Sequence, residues 1–231
     1  TDFIKRILKY LIMKNKIGLI LSHCFVKDNE KYKFKWIEKS IDLHKKLYNN
    51  FYIVLSGHGL EPPKKILNKI DDLYWKNRID ETQIGMGHPH FVIEAYKMCL
   101  NANCDTTLKN LAFSWIENDQ ILKNKTVFCS RNTDLSKMKL GDLIMYGDTK
   151  YFLNLWSCRK WDYSLRTGLE NLYYNMIKIY NNVESFKNDV SLFDSKQLGW
   201  KTFIDHKGLG PKYWGEESEN WNLKKFLQRN L

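Results

Sequence analysis

Two short apolar runs, "KIGLILSHC" (16–24) and "NFYIVLSGHG" (50–59), constrain this chain more than any other feature. Each is a block of Ile, Leu, Val and aromatic residues with little polar alternation, short for a helix and stopped by polar residues or glycine. A strand of that kind needs apolar cover on both faces, the condition of a strand inside a parallel sheet. Between the runs, "KFKWIEKSIDLHKKLY" (33–48) places Phe34, Ile37, Ile41 and Leu47 at helical spacing. Strand, helix, strand is the unit from which parallel sheets are built.

The rest of the chain continues the pattern. "PPKKILNKIDDLYWKN" opens on prolines and contains a short helix. "HPHFVIEAYKMCLNA" (88–102) is a helix with proline near its first turn, and "TLKNLAF" (107–113) is a third strand. "KTVFCSR" (125–131) and "DLIMYGD" (142–148) are two more strands, while "TKYFLNLWS" and "TGLENLYYNMIKIYNNV" (167–183) are helical. This order predicts an α/β fold with a mainly parallel central sheet flanked by helices. Such sheets take ligands at the carboxyl ends of their strands, here "SHCFVKD", "SGHG" and "AFSW". No repeat or low-complexity linker interrupts the chain, so residues 1–231 read as a single domain, with an amphipathic N-terminal helix over 1–15 and a C-terminal wrap or lid over 184–231.

Lys and Arg number 37 against 26 Asp and Glu, a net charge of +11. A basic field favours polyanions, whether nucleic acid, anionic membrane or a phosphate-bearing small molecule, although a Lys-rich sequence also arises from codon bias. The lysines are scattered, and the densest stretch, "KDNEKYKFKWIEK", is diluted by acids. No basic tail or nucleic-acid motif stands out, so no nucleic-acid partner is expected. Five cysteines, an odd number with no C-x-x-C, argue against a disulfide scaffold or zinc knuckle and for a reducing, cytoplasmic setting. Phe3, Ile4, Ile7, Leu8, Leu11 and Ile12, with Lys5, Arg6 and Lys9 between them, form a short amphipathic pattern. It packs on its own domain or makes a peripheral membrane contact through residues 3–12.

Three groups of residues bear on chemistry. "LSGHGLEPP" sets Ser56, Gly57, His58 and Gly59 at a strand end, where glycines either let a backbone approach a ligand or make a tight turn; the spacing is not that of a P-loop. "GMGHPH" sets Gly85, Gly87, His88 and His90 before a helix, whose N-terminus suits phosphate; an isolated H-x-H is a weak metal signal. The acids Asp28, Glu117, Asp119, Asp142, Asp148 and Glu170 are dipole or capping residues unless one lies near the cleft, where it can take a proton from a hydroxyl.

These residues carry a resemblance. "ILSHCFVKD", then "FYIVLSGHG", then "GMGHPHFVIEAYKMCLNANCDTTLKNLAF" resembles the nucleotide-sugar half of GT-A glycosyltransferases, with Gly87, Ala95 and Asp105 matching the turn, helix and loop positions. "VFCSRNTDLSKMKLGDLIMYGDTKYFLNLW" is similar to the WavE-type lipopolysaccharide glycosyltransferases and related viral or bacterial proteins, through Gly141, Asp142, Tyr146, Gly147, Leu155 and Trp156. The resemblance spans roughly residues 16–180 and implies a Rossmann-like, nucleotide-sugar-binding domain.

It implies transfer of a sugar from a nucleotide-diphosphate donor to a glycan or glycolipid hydroxyl. Ser22, His23, Ser56, Gly57, His58, Gly87 and His88 would then hold the nucleotide sugar. Lys109, Arg131 or Arg166 would screen the diphosphate, and Asp142 or Glu170 would serve as general base. The chain departs from the family at the third strand, whose relatives read like "LK-x-R-x-D". Lys109 keeps the lysine, but Leu111 replaces the arginine and Phe113 the acid. The cofactor is therefore either none, with basic side chains meeting the leaving-group charge, or a divalent ion (Mn²⁺ or Mg²⁺) on Glu117 and Asp119. The alternatives are a degenerate nucleotide-sugar or glycan-binding protein, and a nucleic-acid-binding protein.

Overall fold

The computed structural model describes residues 16–26, 30–77, 84–123, 127–129, 144–157, 191–193 and 198–202, with backbone alone at 23–25, 84–89, 123, 127–129 and 191–193. The expected helices over 1–15 and 167–183 lie outside these residues, as do Asp142, Arg131, Arg166 and Glu170. In chain order the elements are β1 (Ile17–Val26), α1 (Lys33–Leu47), β2 (Phe51–Gly59), α2 (Lys64–Leu67), β3 (Asp72–Lys76), α3 (Ile84–Asn101), β4 (Thr106–Leu111), β5 (Ser114–Trp115), β6 (Val127–Cys129), β7 (Ile144–Asp148), α4 (Thr149–Ser157), β8 (Ser191–Phe193) and β9 (Lys201–Thr202).

Seven strands form one sheet in the order β3-β2-β1-β4-β7-β6-β8, and β5 pairs with β9 in a small second sheet. β1 is parallel to both β2 and β4, and β2 to β3. β7 runs antiparallel to β4 and β6, and β8 returns parallel to β6. The mainly parallel sheet flanked by helices is thus the architecture expected from the two apolar runs.

Alternation along the strands sorts the core into two layers. Leu19, Leu21, Ile53, Leu55 and Leu108 face α1 and α2, where they meet Phe34, Ile37, Ile41 and Ile66. Ile20, Val54 and Met145 face the other way, onto Val92, Ala95, Tyr96 and Cys99 of α3 and Phe152, Leu155 and Trp156 of α4. Each fully buried Leu, Ile or Phe contributes about 1.5–3 kcal/mol relative to an exposed one, so both faces of β1 and β2 stabilise the fold. α3 lies so close to β1 that a Cβ on Gly18 would fall 2.6 Å from Cys99 Sγ.

The short helix expected after the prolines is Lys64–Leu67, and the same stretch also holds an edge strand that was not foreseen, β3 ("DLYWK"): Asp71 Oδ2 accepts from the Ile53 N–H at 2.8 Å where the new pairing begins. The aromatic pair Tyr74–Trp75 suits a pleated, half-buried edge. One expectation is corrected: α3 starts at Ile84, so Gly87 and His88 belong to its opening turns and not to a turn that precedes it. Among the described residues the tail supplies two strands: Ser191–Phe193 edges the main sheet beside β6, and Lys201–Thr202 pairs with Ser114–Trp115.

Candidate functional site

At the carboxyl edge of the sheet, β1 parts from β4. Their pairing ends at Ser22↔Leu111, whereas β1 stays paired with β2 through an irregularity after Leu21 as far as Val26↔Gly59. The chain has gone from β1 leftward to β2 and β3 and returns on the right as β4, so this fork is the topological switch point. In parallel α/β sheets that is where a crevice opens for ligands. Gly59 closes the left prong. It holds φ +104°, and a Cβ there would strike the Val26 carbonyl oxygen, which already accepts from Leu60 N–H at 2.7 Å.

Beside the fork, the ends of β2 and β3 meet the early turns of α3 in an aromatic and imidazole cluster. His58 stacks on Phe91 with ring centroids 5.5 Å apart and an 18° interplanar angle. Tyr74 meets Phe91 edge-on at 5.6 Å, and its hydroxyl lies 2.6 Å from His90 Nε2. Ser56 Oγ donates to the Phe91 carbonyl at 2.7 Å and so pins α3 to β2. Burial lowers the pKa of both His58 and His90; the nearby Lys76 ammonium adds to the effect at His90. Both imidazoles are therefore biased towards the neutral form, able to donate and accept at once.

The right prong is built differently. Beyond Leu111 the chain turns through Ala112 and Phe113 into β5, and Ala112 N–H donates to the Ser22 carbonyl at 2.8 Å. Beneath this turn lies a buried polar chain. His44 Nδ1 donates to Ser40 O (2.9 Å), His44 Nε2 accepts from Asn110 Nδ2 (3.2 Å), and Asn110 Oδ1 accepts from Trp200 Nε1 (3.0 Å) and from Leu111 N–H (2.8 Å). The Ser40 carbonyl can only accept, which fixes the proton on Nδ1. Burial pushes the His44 pKa down to about 4, so the chain is neutral throughout. Ser40 Oγ also donates to Ser114 O at 2.6 Å and Thr202 Oγ1 to Phe113 O at 3.4 Å, holding the turn from both sides.

The structure places the expected site residues unevenly. Ser22 and His23 stand at the fork, but the Ser22 side chain is buried and donates to Asn110 O at 3.5 Å. Ser56 is buried and spent on Phe91. Gly57 and His58 sit at the carboxyl end of β2 facing the start of α3, the element that carries Gly87 and His88.

Lys109 is corrected: it is 0% exposed, in mid-strand, with its ammonium 5.4 Å over the Trp156 ring between sheet and α4, where a diphosphate does not reach it. Glu117 and Asp119 are exposed; Glu117 is paired with Lys201 at 2.8 Å, and Asp119 lines a cleft of about 390 Å³ with Lys16, Ile17, Asp105, Thr106 and Tyr146. That cleft lies at the amino ends of β1 and β4, the far edge from the fork.

Among the described residues no group of three His, Cys, Asp or Glu comes together to hold a metal ion. At the turn itself the half-buried Phe113 offers no oxygen, and hard divalent ions need several. The residues of this turn do not fit such an ion. Asn110, His44 and Trp200 escaped the sequence reading, because nothing local in "LHK", "KNL" or "GWK" says that the three meet.

No protein-family model matches the chain, and no curated protein does. Solved structures similar to it include the glycosyltransferase GlyE of Streptococcus pneumoniae TIGR4, at 11% identity and a TM-score of 0.45, over 79% of this chain and 46% of that one. The chain thus spans under half of that protein's length. A glycosyltransferase involved in the glycosylation of the major capsid of PBCV-1 is similar at 10% identity and a TM-score of 0.44, over 78% of this chain and 82% of that one. At such identities the functional reading rests on the residues of the site. No helix among the described residues is long and apolar enough to cross a membrane.

Proposed function

We propose that this chain is a GT-A-like glycosyltransferase, WavE-like in its second half, which moves a sugar from a nucleoside-diphosphate donor to a hydroxyl of a glycan or glycolipid. The observation that carries the reading is the fork past Ser22↔Leu111, at the carboxyl edge of a sheet covered on both faces, beside the His58–Phe91–Tyr74–His90 cluster. His58 and Phe91 are buried against each other, but Tyr74 is half-buried and His90 exposed, so a flat base has a phenol and an imidazole to meet there.

In the transfer, the acceptor oxygen bonds to the anomeric carbon. The bond from that carbon to the β-phosphate oxygen breaks, and its electron pair leaves with the diphosphate. The acceptor's proton passes to a carboxylate, for which Asp142 and Glu170 are the candidates. Arg131 and Arg166 remain candidate partners of the diphosphate, with the catalysis in the cytoplasm.

Phe113, standing in the turn where relatives place an acid, favours a second reading: a protein that binds nucleotide sugar without turning it over. Calorimetry with a panel of nucleotide sugars, with and without Mn²⁺, followed by assay of donor hydrolysis, separates the two. Binding with release of sugar supports the transferase, and binding without it the degenerate form. No binding to any donor defeats both.

A further inference from the structure

Tyr74 and Lys76 stand two residues apart on β3, so their side chains leave the same face of the sheet. That face is fixed by Tyr74, which touches His90 and Phe91 of α3; Trp75 between them points to the other layer and donates through Nε1 to Gly59 O at 3.1 Å. α3 runs against the strands, since Phe91 lies by Ser56 and Cys99 by Gly18. Lys76, nearer the carboxyl edge than Tyr74, is therefore carried towards the opening turns of α3. Its charge is felt by the His90 imidazole. Lys76 and His90 are both exposed.

We propose that Tyr74, Lys76 and His90 form a metal-free seat for the diphosphate of the donor. The chemistry follows from the donors available. Lys76 supplies a full positive charge. His90 Nε2 is engaged by the Tyr74 hydroxyl at 2.6 Å, and the described residues make no hydrogen bond to its Nδ1, which is the nitrogen left for a phosphate oxygen. When His90 takes a second proton, Nε2 becomes a donor, the phenol turns to accept, and the seat gains a charge.

The groups facing His90 are Tyr74, Lys76, Glu94 and Lys97. The one carboxylate among them, Glu94, is held by Lys97 at 2.7 Å, which blunts its repulsion of an anion. Two charge-assisted contacts on an exposed edge replace a divalent ion at the level of binding. The inference depends on the transferase reading only for what the phosphates are attached to.

Calorimetric titration with inorganic pyrophosphate, and with uridine and guanosine diphosphates, all in EDTA, tests it. Lys76→Gln and His90→Gln are each expected to weaken pyrophosphate binding about tenfold, the usual scale of one charge-assisted contact. Lys46→Gln, at the far end of α1, should change nothing. The ratio of wild-type to His90→Gln affinity should also fall as pH rises, while the ratio of wild-type to Lys76→Gln stays level, since the ionisation of pyrophosphate itself is common to all three proteins. Loss of pyrophosphate binding in both variants, with nucleotides no tighter than pyrophosphate in the wild type, upholds the seat and overturns the nucleotide-donor reading. Tight nucleotide binding that neither variant disturbs overturns the seat and leaves that reading standing. Absence of pyrophosphate binding to the wild type also overturns the seat.

Discussion

Asn110 donates through its amide nitrogen to Nε2 of His44 across 3.2 Å, and both side chains are wholly buried. The pair joins β4 to α1, and Trp200 extends it to the segment before β9. A neutral chain of amide, imidazole and indole thus underlies the turn at the end of β4. Each polar atom in it has a partner of the right sense, which is what makes so dry a site tolerable for polar groups.

Asn110→Ala leaves His44 Nε2 and Trp200 Nε1 without their partners in the interior. The expected cost is about 2–4 kcal/mol in chemical denaturation, the scale of buried polar groups stranded by truncation. A change below about 0.5 kcal/mol, the ordinary range for surface substitutions, would mean that the three side chains do not form one network.

His44 gives stability a pH slope with a definite sign. The fold keeps it neutral to about pH 4, while the unfolded chain takes a proton at the ordinary 6.5. Its contribution is intact above 6.5 and is lost as pH falls from there to about 4, in total about 3 kcal/mol. Urea melts of wild type and His44→Gln at several pH values isolate this share, since His58 and His90 titrate in both proteins. Parallel curves for the two would show that His44 is not buried as a neutral group.

Gly59→Ala forces a side chain into the left-handed region against the Val26 carbonyl. The strained backbone and the displaced end of β1 together should cost about 3 kcal/mol. Thermal melts check this. A neutral result would mean that the left prong of the fork is built otherwise.

Ser56→Ala and Lys109→Met separate structure from binding. Ser56 loses a buried hydrogen bond to Phe91, worth about 1 kcal/mol of stability. Neither variant should alter nucleotide affinity by more than twofold, because both side chains are closed off from the crevice. A large drop in affinity for either, with the fold intact, would return that residue to the site.

Donor hydrolysis or transfer should proceed equally in EDTA and in Mn²⁺, with basic side chains offsetting the leaving-group charge. Should EDTA inhibit, Glu117→Gln and Asp119→Asn decide whether these are substitute ligands, against the placement of Asp119 in the cleft at the far edge from the fork and the pairing of Glu117 with Lys201. Full loss in EDTA with both variants fully active would place the metal elsewhere and break the correspondence of Phe113 with the acid of the glycosyltransferases the sequence resembles.

The apolar runs 16–24 and 50–59 announced β1 and β2 because a strand buried on both faces has nothing polar to show. α1 was legible through Phe34, Ile37 and Ile41, which keep a helical period and bury the face it predicts. β3 was not: "DLYWK" is half-buried at an edge, too short for alternation to stand out, and it follows a true helix. The start of α3 was misplaced because Gly85, Gly87 and Pro89 are all residues that locally argue for a turn.

What the sequence determined by itself is the layering of a mainly parallel sheet between helices, since it depends on periodicities held within single elements. Only the tertiary structure decided what each polar side chain does. Ser56 and Lys109 look like site residues until the packing of α3 and α4 closes over them. His44, Asn110 and Trp200 look like nothing until residues 66 and 90 positions apart meet in one hydrogen-bonded chain. The physical reason is that burial and hydrogen-bond partnership are set by contacts between distant segments, and no local pattern encodes them.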